Sequence, residues 1–179
     1  MITSQLGVAI VAPAGHTHDL DSIARGIARL EARGCLVHNY YDPDAVHLRF
    51  GGTDAARLAQ LYAAADDPDV QVVMALRGGY GLTRLLPDID FERLAASGKL
   101  FVGFSDITAL HMGLYAKTGA LSYAGPMLAG DFGAPEPVDF TLEQFWSCLA
   151  GPTHTIREQA GGNPAVDVAG TIWGGNLAM

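Results

Sequence analysis

Ser105 follows a short apolar run and precedes a helix-like pattern in the segment FVGFSDITAL (101–110). A serine between a buried strand and a helix can present its hydroxyl above the sheet beside helix amides, as a nucleophile elbow does. Serine is also a favoured N-cap residue, and Asp106 in the first turn suits a plain cap as well. Because GFSDI lacks the second glycine of the GxSxG pattern, both interpretations stay open.

The segment RGGYG (77–81) follows a predicted strand and contains paired glycines. Attack by Ser105 on a carbonyl carbon would require backbone N–H groups to stabilise the oxyanion, and the amides of Asp106 and of Gly78 or Gly79 could supply them. Two other interpretations are a plain turn with positive φ and a phosphate- or nucleotide-binding turn in a non-catalytic, flavodoxin-like module. The acidic balance and the absence of a phosphate-loop lysine oppose the nucleotide-binding interpretation.

A serine nucleophile requires a general base, and the histidines offer no convincing candidate. His111 lies on the same predicted helix, about 9 Å along the axis from Ser105 and about 120° around it, so it cannot reach Oγ. His16 and His18 follow the first strand and could enter a crevice, although exposed loop residues are the simpler interpretation. Nothing beyond Asp19 would complete a ligand set there, so we expect no metal site.

The composition excludes several classes of protein. The chain has 179 residues, of which 49% are hydrophobic and 17% charged, and it lacks an apolar run of the ~20 residues that span a membrane. No export signal precedes the first strand, so we expect a cytoplasmic protein. A net charge of −8 opposes nucleic acid as a partner, and we expect no membrane partner. Cys35 and Cys148 form no CxxC pair, and we expect buried free thiols.

Short runs rich in valine and isoleucine alternate with amphipathic stretches, which indicates parallel strands and crossover helices. Such a sheet is covered by helices on both faces and binds ligands at the carboxyl ends of its strands. We therefore expect the loop 12–19, the turn 77–81 and Ser105 to share one crevice. The predicted strands cover 7–12, 35–40, 70–76 and 99–104, and the predicted helices cover 20–34, 53–67 with Thr53 or Asp54 as cap, a stretch after the third strand, and 106–119.

The character of the sequence changes after residue 125, where prolines interrupt the alternation. The segment 124–140 predicts a loop or linker, followed by a short helix over 141–151. We accordingly divide the chain into an α/β domain with the candidate nucleophile, a linker with a short helix, and the beginning of a C-terminal domain that opens with a strand and a glycine turn. These parts cover 1–130, 131–165 and 166–179.

Three segments together resemble the LD-carboxypeptidase family of serine peptidases, which includes the microcin-C immunity peptidases. They are ALRGGYGLTRLLPDIDF (75–91), FVGFSDITALHMGLYAKTGALSYAGPML (101–128) and GTIWGGNLAM (170–179). The resemblance implies a flavodoxin-like or class I amidotransferase-like N-terminal domain with the serine. It places the glutamate and the histidine of a Ser-Glu-His triad in a C-terminal domain. Since both would lie beyond residue 179, we expect an N-terminal fragment that is inactive alone.

By matching motif, the resemblance implies that Ser105 is the nucleophile and that the backbone N–H groups of Asp106 and Gly79 form the oxyanion site. The full enzyme would cleave the L,D-peptide bond to the terminal D-alanine of cytoplasmic murein tetrapeptides in peptidoglycan recycling, as a homodimer without metal or cofactor. A microcin-type immunity peptidase that uses the same serine on an acyl-adenylate-like toxin stays open. The implied substrate-binding residues are Arg77, Gly78, Tyr80, Trp173 and Asn176.

Overall fold

The computed structural model describes residues 5–157, 162 and 166–175, and its centre is a parallel sheet. Five strands pair side by side in the order β2-β1-β3-β4-β5. This is the flavodoxin-like order, which confirms the predicted parallel α/β fold. The strands are β1 (Gly7–Val11), β2 (Leu36–Asn39), β3 (Val72–Ala75), β4 (Leu100–Gly103) and β5 (Tyr123–Ala124).

The helices that start at residues 20 and 54 each follow a residue with a capping side chain. Oδ1 of Asp19 accepts from the Ser22 amide at 2.9 Å, and Oγ1 of Thr53 accepts from the Ala56 amide at 3.2 Å, so each cap satisfies a free N–H group. Within the described ranges, no helix has both the length and the apolar character needed to cross a lipid bilayer. The helices are α1 (Leu20–Ala32), α2 (Asp54–Asp66), α3 (Phe91–Ala96), α4 (Thr108–Thr118) and α5 (Asp139–Leu149).

Helices cover both faces of the sheet, as the sequence predicts. Successive side chains of β1 point to opposite faces, so Ala9 and Val11 join one buried cluster whereas Val8 and Ile10 join the other. The first cluster also contains side chains from α2, α3 and α4, and the second contains side chains from α1 and α5. Burial on both faces explains why β1 and β3 are continuously apolar.

The region after residue 120 differs from the predicted loop and linker. Tyr123–Ala124 adds an edge strand, and Leu128–Phe132 forms a π-helical turn whose Leu128 and Phe132 are buried. Helix α5 buries Phe145 in the same cluster. The strand expected in 166–179 is absent from the described residues 166–175, where no neighbouring strand pairs with the chain. The division into domains at 130 and 165 stays a prediction.

Candidate active site

A cleft of about 590 Å³ opens at the carboxyl ends of β1, β3 and β4. Because the ends of parallel strands meet at one edge of a sheet, loops distant in sequence come together there. The cleft confirms the prediction that the three strand exits share a crevice, and it contains six of the predicted site residues. Its lining is formed by Thr17, Asp19, Ser22, Arg77, Gly78, Gly79, Tyr80, Phe104, Ser105, Asp106, Met127, Ala129 and Gly130.

Ser105 occupies a tight turn between β4 and α4. Its φ is +59°, a conformation that side-chain-bearing residues adopt rarely and that marks the strained turn of a nucleophile elbow. Ser105 is the first residue of a 3-10 turn, whereas the cap positions belong to Phe104 and, for α4, Ile107. An added Cβ on Gly103 would lie 2.9 Å from Cγ2 of Ile107. Gly103 therefore allows the turn to fold back on its strand, a role that the sequence analysis missed.

The glycine pair lies against Ser105. An added Cβ on Gly78 would lie 3.0 Å from both Cβ and Oγ of Ser105, and 3.5 Å from the amide nitrogen of Asp106. Gly79 has a φ of +136°, and its added Cβ would lie 2.8 Å from Cα of Gly15. The Gly15 amide also donates to the Gly78 carbonyl at 3.1 Å. Gly79 is thus required by its positive φ and a close backbone contact, whereas Gly78 leaves room for the Ser105 side chain. The oxyanion roles of Gly79 and Asp106 stay predictions.

The bonds of the Asp106 carboxylate to the glycine loop are a second feature that the sequence analysis missed, since it considered only the backbone amide and a place in the first turn of a helix. The residue is 2% exposed. Its Oδ2 accepts from the amides of Gly81 at 2.5 Å and Leu82 at 3.0 Å. A buried carboxylate needs such partners, and here they connect the serine turn to the glycine loop. The sequence signal for this role was an acidic residue at the start of the predicted helix, close behind an apolar strand.

The remaining predicted binding residues have different surroundings. Nε of Arg77 donates to the Gly78 carbonyl at 3.2 Å, and Nη1 donates to the His16 carbonyl at 3.3 Å. Tyr80 has a φ of +62° and an exposed ring in the cleft. The structure places Trp173 beside Met112 on α4, outside the cleft lining, with 69% of its surface exposed. Asn176 lies outside the described residues.

His111 has a structural partner. Its Nε2 lies 2.9 Å from the carbonyl oxygen of Gly103, and burial lowers the pKa of its imidazole. This contact agrees with the prediction that it does not serve Ser105. The rings of His16 and His18 pack edge to face with centroids 4.3 Å apart. Across the described ranges, no group of three or more His, Cys, Asp or Glu side chains could hold a metal ion.

Burial raises the pKa of the Cys35 thiol. That residue is a buried free cysteine, as predicted, whereas Cys148 is free and only partly buried. Neither thiol lines the Ser105 cleft. Among the described residues that line the cleft, no cysteine is therefore available to act as a nucleophile in place of Ser105.

The fold and the cleft together define an α/β domain in which a strand-to-helix turn presents a serine at the edge of a parallel sheet. The sequence profile of the LD-carboxypeptidase N-terminal domain matches residues 8–125. The chain belongs to this peptidase family, which confirms the resemblance noted in the sequence.

Relatives and solved structures support the same assignment. The murein tetrapeptide carboxypeptidase of Pseudomonas aeruginosa is 35% identical over 178 residues, covering 95% of this chain and 57% of that protein. The crystal structure of muramoyltetrapeptide carboxypeptidase from Oxalobacter formigenes has a TM-score of 0.89 and 48% identity, covering 97% of this chain and 58% of that one. The chain spans about half the length of the curated relatives it matches.

A second kind of relative is the microcin C7 self-immunity protein MccF of Escherichia coli. It is 37% identical over 138 residues, covering 76% of this chain and 38% of that protein. Its structure in complex with aspartyl sulfamoyl adenosine has a TM-score of 0.76 and 28% identity, covering 89% of this chain and 47% of that one. A murein tetrapeptide carboxypeptidase and a microcin self-immunity protein are therefore both among its relatives.

Proposed function

We propose that this chain carries the nucleophile half of a serine carboxypeptidase for cytoplasmic peptidoglycan recycling. The enzyme cleaves the L,D-peptide bond to the terminal D-alanine of murein tetrapeptides. The observation that supports this most is the positive-φ turn of Ser105, which lines the cleft in contact with the glycine pair. Serine at such a turn is suited to nucleophilic attack because its hydroxyl and nearby amides face the same space.

In the proposed mechanism, Ser105 Oγ attacks the carbonyl carbon of the scissile bond and loses its proton to a histidine. The amides of Asp106 and Gly79 donate hydrogen bonds to the oxyanion that forms. The histidine then gives its proton to the leaving D-alanine nitrogen, and water hydrolyses the acyl-enzyme. The histidine and its orienting glutamate come from the part of the full-length protein beyond this chain.

Arg77 is the proposed anchor for the free carboxylate of the substrate. Among the described residues that line the cleft, it carries the only positive charge. Two backbone carbonyls hold its guanidinium near the glycine pair, and a guanidinium fork matches a carboxylate well. A cation near the leaving group favours a terminal residue over an internal peptide bond.

The test is release of D-alanine from a murein tetrapeptide by the full-length protein. We expect Ser105→Ala to lower kcat by at least about 10³-fold, as removal of a triad nucleophile does. Ser97→Ala is the matched control, since Ser97 lies at the end of α3, where its Oγ donates to the Leu94 carbonyl and accepts from the Lys99 amide, and it does not line the cleft. Wild-type turnover by Ser105→Ala would refute the proposed nucleophile.

The isolated chain of 179 residues is expected to show no peptidase activity because it lacks the base. Turnover by the purified chain that Ser105→Ala abolishes would contradict this part of the proposal. The proposed homodimer of the full-length protein is tested separately by its mass in solution.

A microcin-type immunity peptidase is the second candidate function, favoured by the likeness to MccF in complex with aspartyl sulfamoyl adenosine. It would use Ser105 on an acyl-adenylate-like substrate. Comparing kcat/KM for a murein tetrapeptide and an aminoacyl sulfamoyl adenosine peptide distinguishes the two. Saturable nucleotide binding that survives Ser105→Ala but is lost in Gly78→Ala would instead indicate a non-catalytic module.

A further inference from the structure

Arg57 is a fully buried cation that the proposed chemistry does not use. It lies on α2, and its Nη1 donates to the carbonyl oxygens of Pro13 at 2.5 Å and Gly81 at 2.9 Å. Its Nη2 forms an ion pair with Asp54 Oδ1 at 2.5 Å, which compensates the cost of burying the guanidinium. The two bonds to backbone carbonyls raise the question of what this arginine holds in place.

Asp106 is the buried charge on the other side of the same loop. Its Oδ2 accepts from the amides of Gly81 and Leu82. The peptide group that joins Gly81 to Leu82 therefore lies between the two charges, with its C=O bonded to Arg57 and its N–H bonded to Asp106. This orientation aligns a peptide dipole of about 3.5 D with both charges. One peptide group thus connects the Arg57 guanidinium to the Asp106 carboxylate, and we name this connection the peptide bridge.

The peptide bridge lies directly downstream of the strained part of the loop. Gly79 and Tyr80 have φ values of +136° and +62°. Such a φ is ordinary for glycine, but a tyrosine keeps it only where its surroundings hold it. The upstream end is held by the bond from the Gly15 amide to the Gly78 carbonyl, and the bridge holds the downstream end. Asp106 also places its own amide beside Ser105, so one residue connects both proposed oxyanion donors.

We propose that Arg57 and Asp106 are positioning residues, whose peptide bridge holds the glycine pair where its amide can stabilise the oxyanion. This inference rests on the proposed function. The Arg57 side chain lies below the cleft, and the Asp106 carboxylate is bonded to the loop. Loss of the bridge therefore weakens interactions made in the transition state, which lowers kcat without raising KM.

The test measures D-alanine release by the full-length protein. Arg57→Met and Asp106→Ala are expected to lower kcat by about 10²-fold, the lower end of the loss of one oxyanion donor, with KM within about twofold. Asp106→Asn keeps an acceptor oxygen, so it should recover part of this loss. Affinity for a boronate transition-state analogue should fall in parallel with kcat. Binding of intact tetrapeptide, measured in a Ser105→Ala background, should not change.

Gln60→Ala is the matched control. Gln60 is also buried on α2, but its side chain bonds the Ala12 amide at 2.7 Å and the Gly51 carbonyl at 3.0 Å. It should lower thermal stability with kcat within about twofold of wild type, because a lost buried hydrogen bond affects folding and not the glycine pair. Loss of kcat in Gln60→Ala equal to that in Arg57→Met would overturn the inference.

A double-variant cycle tests the bridge itself. Since Arg57→Met and Asp106→Asn act through one peptide group, their combined loss of kcat should be smaller than the product of the single losses. A combined loss of kcat equal to the product of the single losses would overturn the inference, as would wild-type kcat in folded single variants. The proposed function would still stand in either case if Ser105→Ala is inactive. Should these variants not fold, Gly81→Ala decides, since its Cβ would lie 2.8 Å from both Arg57 Nη1 and Cδ1 of Phe50 and separate the bridge from the guanidinium. It should lower kcat at least tenfold at unchanged KM, and wild-type kcat would overturn the inference.

Discussion

Gly78→Ala is the substitution that tests the site geometry most directly. The new methyl group would lie 3.0 Å from Oγ of Ser105, and ordinary van der Waals contact begins near 3.4 Å. Either the hydroxyl or the glycine loop must therefore move by about 0.4 Å. A misplacement of about 1 Å costs about 10²-fold in rate, so this shift alone should cost roughly sixfold. The methyl group would also lie 3.5 Å from the Asp106 amide and crowd the oxyanion, which brings the expected loss of kcat to at least tenfold.

The assay is steady-state release of D-alanine by the full-length variant, together with its thermal unfolding. Because the nearest atoms belong to the short Ser105 side chain, which needs to give by only a few tenths of an ångström, the midpoint of unfolding should fall by no more than about 4 °C. Gly151→Ala is the matched control, since its added Cβ meets nothing within 4 Å. Wild-type kcat in Gly78→Ala, in an assay where Ser105→Ala is inactive, would refute the placement of the glycine pair against the nucleophile.

Three other predictions concern the glycine loop, the core and acid stability. Gly79→Ala should lower kcat and stability together, since φ is +136° and its Cβ would lie 2.8 Å from Gly15 Cα; a stable, active variant would contradict this. Phe145→Ala should lower the free energy of unfolding by about 3 kcal/mol in denaturant titrations because Phe145 is 6% exposed; a change below about 1 kcal/mol would indicate a loosely attached α5. A hydrogen bond from the Tyr40 hydroxyl is the main cause that lowers the pKa of Asp67 in the folded protein. The ionised Asp67 carboxylate therefore stabilises the fold above its unfolded pKa of about 3.9, and this stabilisation is lost as the pH falls. Tyr40→Phe should therefore lose less stability than wild type between pH 7 and pH 3, and an equal loss would exclude this bond as the cause.

The strands and helices up to residue 119 were predictable because their signals are local. Apolar runs mark β1, β3 and β4, and capping side chains such as Thr53 mark helix starts. The short strand β5 carries no such signal, since two residues show no periodicity. The π-helical turn at Leu128–Phe132 depends on burial of its two end residues in the core cluster that also contains side chains from α1 and α5. A proline-containing sequence gives no local signal of such burial. Most of the errors in the predicted fold therefore lie where packing outweighs local propensity.

The sequence by itself determined the alternation of the α/β domain, the serine at a strand exit and the glycine pair that lies against it. Only the tertiary structure decided that Arg57 and Asp106 bond opposite ends of one peptide group, and that Trp173 lies away from the cleft. The physical reason is that periodicity and capping act over a few residues. Contacts between α2, the glycine loop and the serine turn instead depend on how three separate segments pack at one sheet edge.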